Sequence, residues 1–371
     1  MTTQELLKAL VAIDSTSSKS NAPMIARIAA ELTPLGFLLR RHEYVDDAGV
    51  AKVNLIAVSR EGEAPGLALV GHSDCVPFDA AWTEALTLTE KEGKLYGRGA
   101  ADTKSFIACA IIAASQVDLK ALKRPLALVF TADEEVGCAG AKRLVDAKLL
   151  APKFAIVGEP TELTPIRAHK GYALAEIEVH GREGHSAYPA TGAPAILKAA
   201  QLLNRIEDLS RSLERERNDD FEPPFTTLNV GLISGGKAKN IIPGLCRFTL
   251  EWRPVPGQPS ERVLDVVKAA ARAISEEQGV DIKVIPLRGD KGVDTRRDST
   301  LVKFLEAESG KASSTVPFGT EAPQLTEMGA EAVVFGPGDI RVAHRTGEFV
   351  PVADLEKCVP ILVKAIRKFC G

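Results

Sequence analysis

The sequence predicts an α/β protein: a catalytic domain with a mostly parallel mixed sheet and flanking helices, plus an inserted α+β domain of ferredoxin-like (βαββαβ) order. Three observations predict it. In the first half, apolar strand-like runs alternate with helical patterns, which implies a largely parallel sheet covered by helices. In the middle, strands that alternate apolar and polar residues take over, as half-buried antiparallel strands should. After residue 288 the chain returns to helix, strand and helix.

The elements follow in order. The N-terminal segment reads as a helix, with Leu6, Leu7, Leu10 and Val11 on one face. Residues 53–58 and 66–70 read as strands, 104–114 as an apolar helix and 125–130 as a strand. Residues 139–147 read as a helix and 154–157 as a short buried strand. A half-buried strand at 173–179 opens the middle region, and an amphipathic helix at 193–209 follows it. The charged stretch 211–220 is a solvated connection. Strands at 227–233 and 245–252, a helix at 261–277 and a strand at 281–287 complete the β-α-β-β-α-β unit. Helices at 299–309 and 355–369, with a strand at 332–335 between them, rejoin the first domain. The expected organisation is a catalytic domain from residues 1–175 and 289–371, interrupted by a small domain at 176–288.

Composition narrows the function classes. A hydrophobic content of 45% with 26% charged residues is that of an ordinary globular chain, not a disordered one. A formal charge of −3 gives no overall basic field, so no nucleic-acid partner is expected. No apolar run approaches the ~18–20 residues of a membrane helix, and no export signal is recognised, so the expected location is the cytoplasm. None of the six cysteines forms C-x-x-C, and all are expected to be buried small hydrophobes.

The residues that could carry chemistry fall just after expected strands. They are Gly71-His72-Ser73-Asp74, Thr131-Ala132-Asp133-Glu134-Glu135, Gly158-Glu159-Pro160 and, beyond Gly336-Pro337-Gly338, His344. Asp102 follows the turn Gly97-Arg98-Gly99 and precedes the apolar helix. In an open α/β sheet, ligands bind outside the carboxyl ends of the strands, so these segments could meet in one crevice. Together they offer two histidines, several carboxylates and no cysteine. Mixed N and O ligation of this kind suits Zn²⁺, Co²⁺ or Mn²⁺ at an open catalytic site. Two metals fit the inventory: Asp102 could bridge, with His72 and Glu159 on one metal and Glu135 and His344 on the other. Asp74 could accept the second imidazole N–H of His72, and Glu134 would stay free as a base. Each residue also has a plain reading, as a surface histidine or part of a solvated acidic loop. Spacing alone does not choose between the two.

Taken together, the segments resemble the M20 family of metallopeptidases and amidohydrolases. The matching runs are Gly71-His72-Ser73-Asp74-Cys75-Val76-Pro77, Tyr96-Gly97-Arg98-Gly99-Ala100-Ala101-Asp102-Thr103-Lys104, Asp133-Glu134-Glu135-Val136-Gly137, Gly158-Glu159-Pro160-Thr161 and Ala343-His344. The resemblance implies His72, Asp102 and Glu159 as ligands of one metal, and Asp102, Glu135 and His344 as ligands of a second. It implies Glu134 as general base, Asp74 as the partner of His72, and a cis peptide at Asp102-Thr103. It implies Zn²⁺, one or two per subunit, with Co²⁺ or Mn²⁺ as substitutes, and a homodimer made through the inserted domain. Gly184-His185-Ser186-Ala187 resembles the segment whose histidine reaches the partner's active site. Asn240 and Arg253 resemble binders of the substrate carboxylate, although a turn residue and a strand-end salt bridge would look the same. The runs Ile13-Asp14-Ser15-Thr16-Ser17, Gly319-Thr320-Glu321-Ala322-Pro323 and Phe335-Gly336-Pro337-Gly338 resemble members that deacetylate N2-acetyl-L-ornithine. Gly347 departs from the common pattern, which has an Asp before the Glu. The implied substrate is an N-acyl amino acid, with Glu321 as candidate partner for its cationic side chain. Other family activities remain open: succinyl-diaminopimelate desuccinylase, N-acetylcitrulline deacetylase, small peptidase, or a non-catalytic ligand-binding member. His42, His169 and His180 are expected to be structural or on the surface.

Overall fold

The computed structural model describes residues 1–371, and the chain divides into two compact units. The first comprises Met1–Arg167, Thr295–Ser314 and Thr320–Gly371. Its sheet runs in the order Leu38–Val45, Ala51–Val58, Leu126–Thr131, Leu67–His72, Phe154–Val157, Glu331–Val334. Leu67–His72 pairs in parallel with Leu126–Thr131 and Phe154–Val157, and Glu331–Val334 extends the parallel region. Leu67–His72, Leu126–Thr131 and Phe154–Val157 are buried along their whole length, which is why the sequence shows them as unbroken apolar runs. Ala51–Val58 and Leu38–Val45 complete that side of the sheet in antiparallel register.

Helices close the core. Lys104–Ser115 is apolar on nearly every face and is buried accordingly. It packs against Thr3–Val11 and Val352–Cys370. Thr3–Val11 begins with a reciprocal cap between Thr2 and Glu5 and buries the expected Leu6, Leu7, Leu10 and Val11. The edge strand Leu38–Val45 was not legible in the sequence, because most of its residues are exposed and its charged stretch has no alternating pattern. A small sheet of Thr89–Lys91, Lys94–Tyr96 and Phe349–Pro351 also lay below the signal; each strand has three residues.

The second unit comprises Ala168–Asp294 and Thr315–Gly319. Its antiparallel sheet has the order Thr227–Gly235, Leu245–Arg253, Tyr172–His180, Asp281–Asp290. Helices Ala195–Leu213 and Glu261–Gln278 pack on it around Ile177, Val179, Leu202, Phe248, Trp252 and Val267. Tyr172–His180 alternates buried and half-buried residues, as its sequence pattern requires. The buried Trp252 indole donates to the carbonyl of Ser260 at 2.8 Å, so its polar edge is satisfied within the core. All six cysteines are buried and none forms a disulfide. No helix is long and apolar enough to cross a membrane.

Candidate metal centre

In the first unit, adjacent parallel strands deliver the acidic and imidazole side chains to one end of the sheet. Leu67–His72 ends on His72, Leu126–Thr131 leads to Glu134 and Glu135, and Phe154–Val157 leads to Glu159. Asp102 lies just before helix Lys104–Ser115, and the peptide from Asp102 to Thr103 is cis.

Asp102 joins the two histidines. Nε2 of His72 is 2.8 Å from its Oδ1, and Nε2 of His344 is 3.1 Å from its Oδ2. The same nitrogen of His344 is 3.1 Å from Oε2 of Glu135. Donor atoms of His72, Asp102 and Glu135 all lie within 4.8 Å of one another. Asp74 stands behind His72, with a difference from the expected contact. The Nδ1 of His72 is 3.1 Å from the Asp74 carbonyl oxygen and 3.7 Å from its carboxylate. That carboxylate instead accepts the Ser17 hydroxyl at 2.9 Å and the backbone N–H groups of Glu134 and Glu135 at 3.2 and 3.3 Å.

The electrostatics fit a cation. Burial pushes the Glu134 carboxyl up to about 8, with Glu135, Glu321 and Asp102 adding to the rise against the pull of His72. Burial and the charge of Asp102 raise Glu135 and hold Glu159 well above the usual range. Hydrogen bonds to Asp102 and Glu135 raise His344 to about 10. Oε1 of Glu135 is buried with no hydrogen-bond partner. Buried carboxylates so close together must either keep protons or share a cation. A divalent metal would remove the repulsion, give Glu135 a partner and take the place of the imidazole protons. The chemistry of the donor set therefore suits a metal with N and O ligands.

Three other residues support the acidic loop, and sequence reasoning missed them. Asp133 has a left-handed backbone, with φ of 56°. Its carboxylate accepts Nζ of the buried Lys52 at 2.7 Å and the hydroxyl of Tyr44 at 2.8 Å. Asn54 accepts from the N–H of Ala132 at 2.9 Å and donates to the carbonyl of Gly140 at 3.0 Å. The available signal was two polar residues inside the apolar run of Ala51–Val58. Glu348, which the sequence marks only as the Glu following Gly347 and with no role, is 0% exposed.

The other expected site residues lie as follows. Glu321, in the first unit, is 1% exposed, and neither carboxylate oxygen has a hydrogen-bond partner. Burial pushes it up to about 7 against the opposing pull of His72. The second unit holds His185, Asn240 and Arg253. His185 is exposed on Gly184–His185, and its Nδ1 accepts the N–H of Ala187 at 3.1 Å. Asn240 is exposed beside it, and its carbonyl accepts the N–H of Ser186 at 3.1 Å. Arg253 donates to Glu251 at 2.8 Å, and its guanidinium lies 4.7 Å from the centre of the Tyr172 ring.

A cluster of N and O donors at the carboxyl ends of a parallel sheet, beside the half-buried carboxylate of Glu134, defines a metal-dependent hydrolase. The chain belongs to Peptidase family M20/M25/M40, which it matches over residues 68–368. It is 58% identical over 370 residues to an acetylornithine deacetylase of Myxococcus xanthus, covering 98% of this chain and 97% of that protein. It is 36% identical to an acetylornithine deacetylase of Proteus mirabilis (strain HI4320), over 97% of this chain and 93% of that one. In fold it is similar to the crystal structure of a tripeptidase from Staphylococcus aureus, with a TM-score of 0.79 at 22% identity, covering 99% and 97% of the two chains.

Proposed function

We propose that this chain hydrolyses the amide of N2-acetyl-L-ornithine to acetate and L-ornithine, a step of arginine biosynthesis. The observation that carries the substrate is the 58% identity, across 98% of the chain, to an acetylornithine deacetylase. The donor cluster around Asp102 supports the reaction class.

His72, Asp102 and Glu159 are proposed to hold one metal, and Asp102, Glu135 and His344 a second, with Zn²⁺ at one or both and Co²⁺ or Mn²⁺ as substitutes. A metal bound there would acidify water and polarise the acyl carbonyl. Glu134 would take the proton of the attacking water and deliver it to the leaving amine. Its burial and raised pKa favour that exchange. Asp74 would hold His72 and the loop of Glu134 together. His185 is proposed to stabilise the oxyanion of a substrate bound to a second copy. Asn240 and Arg253 are proposed to bind the α-carboxylate. Glu321 is proposed as the counter-charge of the side-chain ammonium, since both of its oxygens lack a protein partner.

The proposed assembly is a homodimer through the inserted domain at 176–288, flanked by catalytic segments 1–175 and 289–371. Leu232 and Ile233, 72% and 56% exposed on the edge strand Thr227–Gly235, support such an interface. The proposed location is the cytoplasm. The test is a panel of N2-acetyl-L-ornithine, N2-acetyl-L-citrulline, N-succinyl-L,L-diaminopimelate and small peptides. N2-acetyl-L-ornithine should give the highest kcat/KM; a better substrate from the panel would replace the assignment.

A further inference from the structure

We propose that Glu348 is a positioning residue that fixes Asp102 and His344 relative to each other, and so sets the metal position completed by Glu135. This rests on the two-metal reading above. The Glu348 carboxylate is fully enclosed by donors from one loop. Its Oε1 accepts the backbone N–H groups of Ala101 at 2.9 Å and Asp102 at 3.0 Å. Its Oε2 accepts the N–H of Gly99 at 3.1 Å and Nη1 of Arg98 at 2.5 Å. Its own carbonyl accepts the N–H of Gly97 at 3.0 Å. Segment 97–102 is thus closed around a single carboxylate, and the last of its donors is the backbone of Asp102 itself.

The other end of the link is His344, four positions earlier in the chain. His344 has a left-handed backbone with φ of 61°, lies outside any helix or strand, and has a side chain 52% exposed. Just beyond Glu348, Phe349–Pro351 pairs with Lys94–Tyr96, the strand leading into the same loop. Glu348 therefore stands where the segment carrying His344 is fastened to the loop carrying Asp102. His72 needs no such fastening, because it ends a fully buried strand paired on both sides. The asymmetry is physical. Loosening Glu348 leaves the His72 side framed by the sheet and frees the His344 side.

Removing the carboxylate also strands buried donors. In Glu348→Gln the amide N–H₂ would face N–H groups that now have an acceptor, and their unmet demand would shift the loop. A buried partner that orients ligands in this way typically accounts for about 10–100-fold in metal affinity.

The test is calorimetric titration of Zn²⁺ into metal-free wild type, Glu348→Gln and Arg98→Gln, with thermal unfolding of each metal-free protein alongside. In Glu348→Gln the first equivalent should bind within about threefold of wild type and the second about 10–100-fold more weakly. Arg98→Gln keeps the carboxylate and its three backbone donors. It should show a smaller loss in the same direction, and it decides the matter if Glu348→Gln does not fold. Wild-type affinity for the second equivalent would overturn the proposal. So would equal weakening of both equivalents, which marks general destabilisation. A wild type that takes up no second equivalent defeats the two-metal reading itself, and the wild-type titration alone reveals it.

Discussion

The backbone N–H of Glu134 donates to Oδ1 of Asp74 at 3.2 Å, and that of Glu135 donates to the other oxygen at 3.3 Å. One buried carboxylate therefore ties the segment just after His72 to the loop that carries the proposed base and a proposed ligand. Asp74→Ala should leave these donors without their acceptor and loosen the loop of Glu134 and Glu135, while the backbone carbonyl at position 74 still faces His72. The expected result is metal affinity weakened about 10–100-fold, with kcat reduced as well. Metal quantification after dialysis, paired with steady-state rates, checks it; wild-type values for both would refute the link.

Glu134→Gln separates the base from the ligands. The variant keeps the shape of the side chain and cannot accept the water's proton. It should bind metal like wild type, with KM little changed and kcat lower by about 100- to 10,000-fold. A variant that loses its metal as well would place Glu134 among the ligands.

Glu321→Gln tests specificity. If the carboxylate faces the substrate ammonium, kcat/KM should fall far more for N-acetylornithine than for N-acetylmethionine. Equal losses would assign Glu321 to supporting the centre near His72, where its buried charge already acts.

His169 predicts a pH dependence that does not involve the metal centre. Burial pushes its ring down to about 4, although its Nδ1 faces the Lys170 carbonyl at 2.8 Å. Its ordinary value is about 6.5, so in the intervening range the unfolded chain binds the extra proton. The stability contributed by neutral His169 is present above the ordinary value and is lost as pH falls through the folded one. The difference in Tm between wild type and His169→Gln should therefore shrink on acidification from neutral pH. A difference that stays constant with pH would show that His169 titrates normally.

The residues proposed for the metal site were legible because sequence and fold mark the same places. His72 ends a short unbroken apolar strand and Glu134, Glu135 and Glu159 each follow one, and a parallel sheet brings such strand ends together. The second unit was legible from alternation along Tyr172–His180 and Leu245–Arg253. What escaped acts through partners distant in sequence. The ion pair of Glu348 with Arg98 spans 250 positions, and that of Lys52 with Asp133 spans 81, with no local pattern to announce either. Asp74 does lie beside His72, but the expected contact of its carboxylate with the ring depended on the strand continuing. The strand ends at His72, so the carbonyl of Asp74 takes the closer place beside the ring.

The most direct test of the account is activity toward N2-acetyl-L-ornithine as Zn²⁺ is added to metal-free protein, with bound metal counted per chain. Turnover should be absent without metal, rise as metal is bound, and saturate at no more than two equivalents per chain. Full hydrolysis by a metal-free chain, or a metal-loaded chain that leaves the acetyl group in place, would contradict it.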